Sequence, residues 1–151
     1  MSGYRNIVVA IDLSSESGII IQRARDVASS DSRLHLVYVQ EPMDSVYMGV
    51  VPYGPVFVGM DEVEEKLKSE LRGKLDKFGE EFGVPADGRH FLNGSPAREI
   101  HRFVDENDVD LVVLGTHGQK GVQLLLGSTA NSVLHGSSCD VLAVRIDESD
   151  D

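Results

Sequence analysis

The chain has 151 residues, 41% of them apolar and 26% charged, with a formal charge of −11 at pH 7. This length suits a single domain with a sizeable core, and no run approaches the ~18 apolar residues needed to span a bilayer. The negative field opposes nucleic acid and anionic membranes, so an anionic ligand has to be held by local backbone donors.

The amino terminus shows neither an apolar signal-peptide core nor a cleavage site, and the expectation is a cytoplasmic protein. Cys139 is the single cysteine, which excludes an internal disulfide and a Cys-based metal cluster within one chain. It reads as a small apolar residue beside the last strand.

Asn6 to Ile11 is a continuous β-branched run that suits a strand buried on both faces, and Asp12 ends it. Ser14 and Ser15 are candidate caps for a helix over 14–30, whose apolar stripe is Ile20, Ala24, Val27 and Ala28. Leu34 to Val39 is a second strand, in which His35 reads as a packing or surface residue. Residues 41–60 form a long connection rich in Pro, Gly and apolar side chains, expected to be an interface or flap ahead of a ligand lid. Asp61 to Phe82 is the longest helix, with Val63, Leu67, Leu71, Leu75, Phe78 and Phe82 on one face and Glu–Lys pairs on the other.

Gly83, Val84 and Pro85 stop that helix, and Gly88 to Leu92 is a short third strand. Ser95-Pro96 starts the next helix, a side-chain cap followed by proline at the first helical position, which continues through Ala97, Ile100, Phe103 and Val104. Leu111 to Leu114 is a fourth strand that breaks at Gly115 into a turn carrying Gly118, Gly121 and Gly127, ahead of a helix over Ala130 to Leu134. Asp140 to Ile146 is the fifth strand, and the acidic tail 147–151 is expected to fray.

The alternation of strands and helices predicts an α/β fold: a single, doubly wound, open parallel five-stranded sheet, order 3-2-1-4-5, with helices on both faces (Rossmann-like) across residues 1–151. In such a sheet, ligands collect beyond the carboxyl ends of the strands where the order reverses, here between strands one and four. Asp12 and Gly115 to Gly118 would line that crevice, with Val39 and Gln40 as its side wall. Bare glycines let backbone N–H groups approach a phosphate, and a helix start adds partial positive charge; Ser128 and Thr129 supply hydroxyls there. The same glycines also suit a plain strand-to-helix connection. Asp12 carries two readings of equal weight: a partner for ribose hydroxyls or a base amine, and a turn carboxylate capping the first helix.

These residues carry a resemblance to the universal stress protein family: Asn6-Ile-Val-Val-Ala-Ile-Asp12, Gly94-Ser-Pro-Ala97, Gly115-Thr-His-Gly118 and Leu126-Gly-Ser128. The family's ATP-binding branch carries Gly-x2-Gly-x9-Gly-Ser/Thr, and here eight residues separate Gly118 from Gly127. The resemblance implies ATP or AMP as ligand, with Mg²⁺ entering alongside the phosphates. Asp12 would face ribose or adenine. The backbone of Ala10 and Val39 would flank the base, with Ile11 and Leu114 as adjoining strand-end positions. Gly115, Thr116, His117 and Gly118 would approach ribose and phosphates, and Gly127, Ser128 and Thr129 would hold the phosphate chain. It also implies a homodimer paired through Val141 to Ile146, an apolar edge strand that needs covering.

The leading expectation is a ligand-responsive stress-response module. Slow ATP hydrolysis with His117 as proton acceptor draws little support, since no Gly-x4-Gly-Lys-Ser/Thr loop is present. A third reading is a nucleotide-independent dimer acting through protein partners. Response-regulator receivers are disfavoured by Asn93-Gly94 and Arg145, and the adenylating relatives by the absence of paired glycines after Asp12.

Overall fold

The computed structural model describes residues 3–42, 60–116 and 128–146. Strands β1 (Tyr4–Ala10), β2 (Ala28–Gln40), β3 (Arg89–Asn93), β4 (Leu111–Gly115) and β5 (Asp140–Val144) form one sheet with every neighbouring pair parallel. The strand order is β3-β2-β1-β4-β5, as the alternation predicted. Helices α1 (Ser17–Asp26), α2 (Met60–Phe82), α3 (Pro96–Glu106) and α4 (Ser128–Gly136) join the strands, and a short 3-10 turn (Ala86–Gly88) precedes β3.

Both faces of the sheet are covered, which is why the strands read as unbroken apolar runs. Successive side chains point to opposite faces, so each strand divides between two cores. Ile7 and Val9 of β1, Leu34 and Leu36 of β2, and Leu111 and Val113 of β4 pack with Ile20, Ile21 and Ala24 of α1 and Leu75 of α2. Val8, Val37, Val112 and Leu114 pack on the other side with Ile100, Phe103 and Val104 of α3 and Ala130 and Val133 of α4. His101 of α3 ties the two helices of that face together, its Nε2 lying 3.0 Å from the Val133 carbonyl.

Four local expectations fail. The first helix does not run to Ser30. It ends at Asp26, and Ala28 is already the first residue of β2, opposite Tyr4. Pairing to β1 overrides the strong helix preference of Ala28, which the serines that follow it do not share. The register then jumps to Asn6 opposite Arg33, so 29–32 bulge from the ladder, and the Ser29 hydroxyl bonds Asp31 at 2.8 Å.

Nor do Ser14 and Ser15 cap α1 with their side chains. Glu16 holds the cap position without a side-chain bond, and Ser14 contributes its carbonyl, which accepts from the Ser17 N–H at 3.0 Å. Ser95 likewise caps α3 by position without a side-chain bond, although Pro96 opens that helix as expected.

On α2, Val63 lies on the apolar stripe yet is 53% exposed. Twenty-three helical residues span ~34 Å, whereas the five residues of β3 span only ~17 Å. The helix outruns the sheet beneath it, and the packing falls to Leu71, Leu75, Phe78 and Phe82. At Gly79, on this packed side, a Cβ would lie 2.0 Å from Nε of Arg89, so a larger residue would displace that side chain. That guanidinium crosses the helix to bond the Val84 carbonyl at 2.9 Å and Asp76 at 3.3 Å.

Candidate functional site

The carboxyl end of the sheet is set by where each strand stops. Ala10 closes β1 opposite Val37 of β2 on one side and Leu114 of β4 on the other. Ile11 prolongs the ladder by donating its N–H to the Val37 carbonyl at 3.0 Å. Asp12 then turns the chain, its Oδ1 accepting from the Ser14 N–H at 3.0 Å. This is an Asx turn, in which a side chain takes the place of a backbone acceptor. Leu13 follows with φ of +66°, a left-handed conformation that costs a non-glycine residue about 1 kcal/mol or more. Burial of its side chain in the α1/α2 core offsets that strain and fixes where Asp12 sits.

Asp12 is half-buried and lies close to the β2 rim. The Tyr38 phenol is held above its ordinary value by burial first, and then by the carboxylates of Asp12 and Glu41. This side of the crevice is therefore acidic, suited to hydroxyl and amine donors and hostile to a phosphate. Ala10, Val39 and Leu114 sit on neighbouring strands and face the same side of the sheet, the one covered by α3 and α4. Val39 pairs with Leu92, and Gln40 with Asn93, which carries the side wall out to β3.

Gly94 extends that wall, donating its N–H to the Gln40 carbonyl at 2.9 Å. Its φ of +138° demands glycine, and a Cβ would also meet the Glu99 carboxylate at 3.1 Å. Glu99, only 9% exposed, is paired with Arg102 one turn along α3. The Gly94-Ser95-Pro96 motif thus turns β3 into α3 over a neutralised carboxylate.

On the β4 side, Gly115 is the last strand residue, opposite Val144. The Thr116 N–H donates to the Val144 carbonyl at 2.9 Å, and its Oγ1 accepts from the Ile146 N–H at 3.3 Å. Thr116 thereby carries the β4–β5 pairing one residue beyond the strands. Ser128 and Thr129 are the first residues of α4, which starts two residues before the expected Ala130, and Thr129 is exposed. His117, Gly118, Gly121 and Gly127 lie outside the described residues, as do 43–59 of the long connection and the tail 147–151. Among the described residues no group of three His, Cys, Asp or Glu side chains is placed to hold a metal ion.

The structure brings Ala10, Ile11, Asp12, Val39, Leu114 and Gly115 to one end of three adjacent strands. Two nearby groups escape a linear reading. Tyr38 and Glu41 join Asp12 only through the β1–β2 pairing, although the alternation in Leu-His-Leu-Val-Tyr-Val separates Tyr38 from Val39 by face. Glu99 looks like an ordinary charged helix residue until the Gly94 turn folds over it.

A five-stranded parallel sheet in this order, with helices on both faces, is a doubly wound α/β fold. The chain belongs to the universal stress protein family, whose model matches residues 3–145. It is 38% identical to universal stress protein A homolog 1 of Coxiella burnetii over 96% of this chain and 99% of the relative. It is 32% identical to universal stress protein MJ0531 of Methanocaldococcus jannaschii over 94% and 82%. Among solved structures, the MJ0577 protein superposes with a TM-score of 0.78 at 22% identity, over 96% of this chain and 98% of that one. A universal stress protein in complex with cAMP superposes with a TM-score of 0.61 at 25% identity, over 95% and 98%. Among the described residues no helix is long and apolar enough to cross a membrane.

Proposed function

We propose that this universal stress protein binds an adenine nucleotide, ATP or AMP, at the carboxyl ends of β1 and β4, and works as a dimeric, ligand-responsive module. The observation that carries the reading is the division of the rim. Ala10, Val39 and Leu114 share one face of three adjacent strands, Asp12 and Glu41 make the β2 side acidic, and α4 follows β4, the strand on the other side of β1. An adenine nucleotide matches that asymmetry. Its base and ribose offer donors toward Asp12, and its phosphates belong at the glycine turn and the start of α4. The cAMP complex of a family member adds support for an adenylate in this fold.

In this reading Asp12 accepts from ribose or the base amine, and the backbone of Ala10, Ile11 and Val39 flanks the base beside Leu114. Gly115, Thr116, His117 and Gly118 approach ribose and phosphate, while Gly127, Ser128 and Thr129 hold the phosphate chain. Mg²⁺, when it accompanies ATP, comes in with the phosphates and uses few protein ligands. The dimer forms through Val141 to Ile146, since β5 is an outer strand whose Val141 and Leu142 are half-buried in one chain.

Equilibrium titration of nucleotide-stripped protein with ATP, AMP and cAMP tests the site. Saturable binding at micromolar to millimolar nucleotide is expected, and its loss in Gly127→Val with an unchanged circular dichroism spectrum would locate the phosphates. No binding of any of the three at millimolar concentration ends the proposal. Sedimentation equilibrium tests the assembly separately, with a dimer expected.

A further inference from the structure

The most unusual polar arrangement among the described residues lies away from the strand ends, beneath α3. His90 stands opposite Val37 in the β2–β3 pairing, so His35, two residues earlier on β2, is its diagonal neighbour on the same face. Nδ1 of His35 lies 3.1 Å from Nε2 of His90, and Nε2 of His35 lies 3.0 Å from Oδ1 of Asn6. Phe103 of α3 covers both rings edge-on, with centroids 5.2 Å from His35 and 4.6 Å from His90. His35 is only 6% exposed.

The proton positions follow from the bonds. The Asn6 amide nitrogen donates to the carbonyls of Asn107 at 2.6 Å and Asp108 at 3.1 Å, so the Asn6 oxygen is the atom that faces His35. That oxygen only accepts, which puts a hydrogen on His35 Nε2. In the neutral ring Nδ1 is then bare and accepts from His90 Nε2–H. A single added proton keeps the bond: on His90 it enters at Nδ1, and on His35 it reverses the donor once His90 changes tautomer. A second proton sets N–H against N–H and places two cations in contact.

We propose that the His35–His90 pair is an acid-responsive latch joining edge strand β3 and helix α3 to the centre of the sheet, closed with at most one ring charged and opened by the second proton. The rings connect elements that are far apart in sequence: β1 through Asn6, β2 and β3 through the histidines, and α3 through Phe103 and the Asn107 carbonyl. The surroundings oppose charge. Burial disfavours the cation on both rings, and Arg33 on β2 adds repulsion, while Asp87 in the turn before β3 opposes these effects more weakly and is itself 3.4 Å from Arg33.

Other ionisable groups on the packed elements are engaged elsewhere or exposed. Asp110 at the start of β4 accepts from the backbone N–H groups of Arg5 and Asn6. On α3, Glu99 pairs with Arg102 and His101 faces Val133, while Arg98, Asp105 and Glu106 are exposed.

Burial and the neighbouring cations hold His35 at about 4, against 6.5 for an ordinary histidine. Any opening that wets the ring restores the ordinary value, so acid drives opening between those limits. For His35 alone the opening equilibrium rises about thirtyfold at pH 5 relative to neutral pH.

Hydrogen exchange at pH 7.5 and pH 5, corrected for intrinsic rates, measures this on the amides of β3 and α3. A rise in opening of about that size is expected in the unsubstituted protein. It should vanish in the double variant His35→Gln/His90→Gln, whose amides can donate where the ring nitrogens do without taking up a proton. A rise that persists in the double variant overturns the latch. Ring-proton NMR of the unsubstituted protein decides the matter without any variant: His35 staying neutral below pH 5.5 supports the latch, and a midpoint near 6.5 overturns it.

Discussion

The two faces of the sheet are built from the same alternation of strand residues, yet they enclose different interiors. On the side of α1 and α2, the inward positions of the central strands, Ile7, Val9, Leu34, Leu36, Leu111 and Val113, are apolar, and α1 adds Ile20, Ile21 and Ala24. The charged Arg89 enters only from the edge strand β3, where Asp76 pairs with it. On the side of α3 and α4, the apolar positions share space with His35, His90 and Glu99, all held by specific partners. The strand-end positions Ala10, Val39 and Leu114 also belong to this second face. Dry packing resists change in proportion to the area lost, whereas a buried polar network responds to protons, because desolvation makes each charge costly. The α1/α2 face therefore serves as foundation, and the responsive chemistry is concentrated on the other.

Truncation on the dry face should produce the largest loss. Leu36 is completely buried between α1 and α2, and Leu36→Ala is expected to cost ~2–5 kcal/mol through lost transfer energy and the cavity left behind. Urea unfolding at pH 7.5 and pH 5 should show that cost equally at both values, since no titrating group lies in that cavity. A cost that changes strongly with pH would mean the two faces are not energetically separate.

The polar face should supply the pH dependence instead. The folded value of His35 lies below the ordinary one, so the neutral ring is favoured in the native state. Its contribution is complete above pH 6.5 and is lost as pH falls toward 4, a total of about 3 kcal/mol. Unfolding free energies of the unsubstituted protein and of His35→Gln should therefore converge as the medium is acidified from pH 7 to pH 4.5. Parallel curves would remove His35 as the source.

A third break falls on the turn that joins the polar face to the rim. Gly94→Ala places a Cβ on a backbone with φ of +138° and against the Glu99 carboxylate. A loss of ~1–3 kcal/mol is expected. Glu99→Gln in the same background should recover little of it, because the backbone strain remains; substantial recovery in thermal unfolding would assign the cost to the carboxylate contact instead.

The contrast between the faces also explains what a linear reading could reach. The parallel sheet and its two-sided core were legible because Asn6 to Ile11 and Leu111 to Leu114 lack the alternation of a half-exposed strand, whereas those runs do not by themselves contain the order of the strands. The end of α1 was not, since Val27 and Ala28 fit the helical stripe and only pairing with Tyr4 makes Ala28 a strand residue. The strand-end positions were legible from where the apolar runs stop. The histidine pair was hidden, because residues 35 and 90 become neighbours only through the β2–β3 register, and His35 alone looks like a packing residue. Long-range register is the information that local pattern does not contain.

A second polar group on the α1/α2 face, besides Arg89, gives the smallest expected effect. Ser17 lies on the buried side of α1 with 0% exposure, and its Oγ has no hydrogen-bond partner among the described residues. A buried hydroxyl left unsatisfied forfeits its hydration without recompense, so removing it relieves a penalty and breaks no bond. Ser17→Ala should therefore stabilise the protein by roughly 1 kcal/mol, since the smaller side chain fits the same space and alanine favours the helix. Thermal unfolding would register this as a midpoint higher by a few degrees. A lower midpoint would mean that the hydroxyl is satisfied in solution, by a water or by the turn at the carboxyl end of the sheet. In that case even the dry face would carry a polar contact serving the rim, and the separation drawn between foundation and responsive face would have to begin deeper, at Ile20 and Ile21.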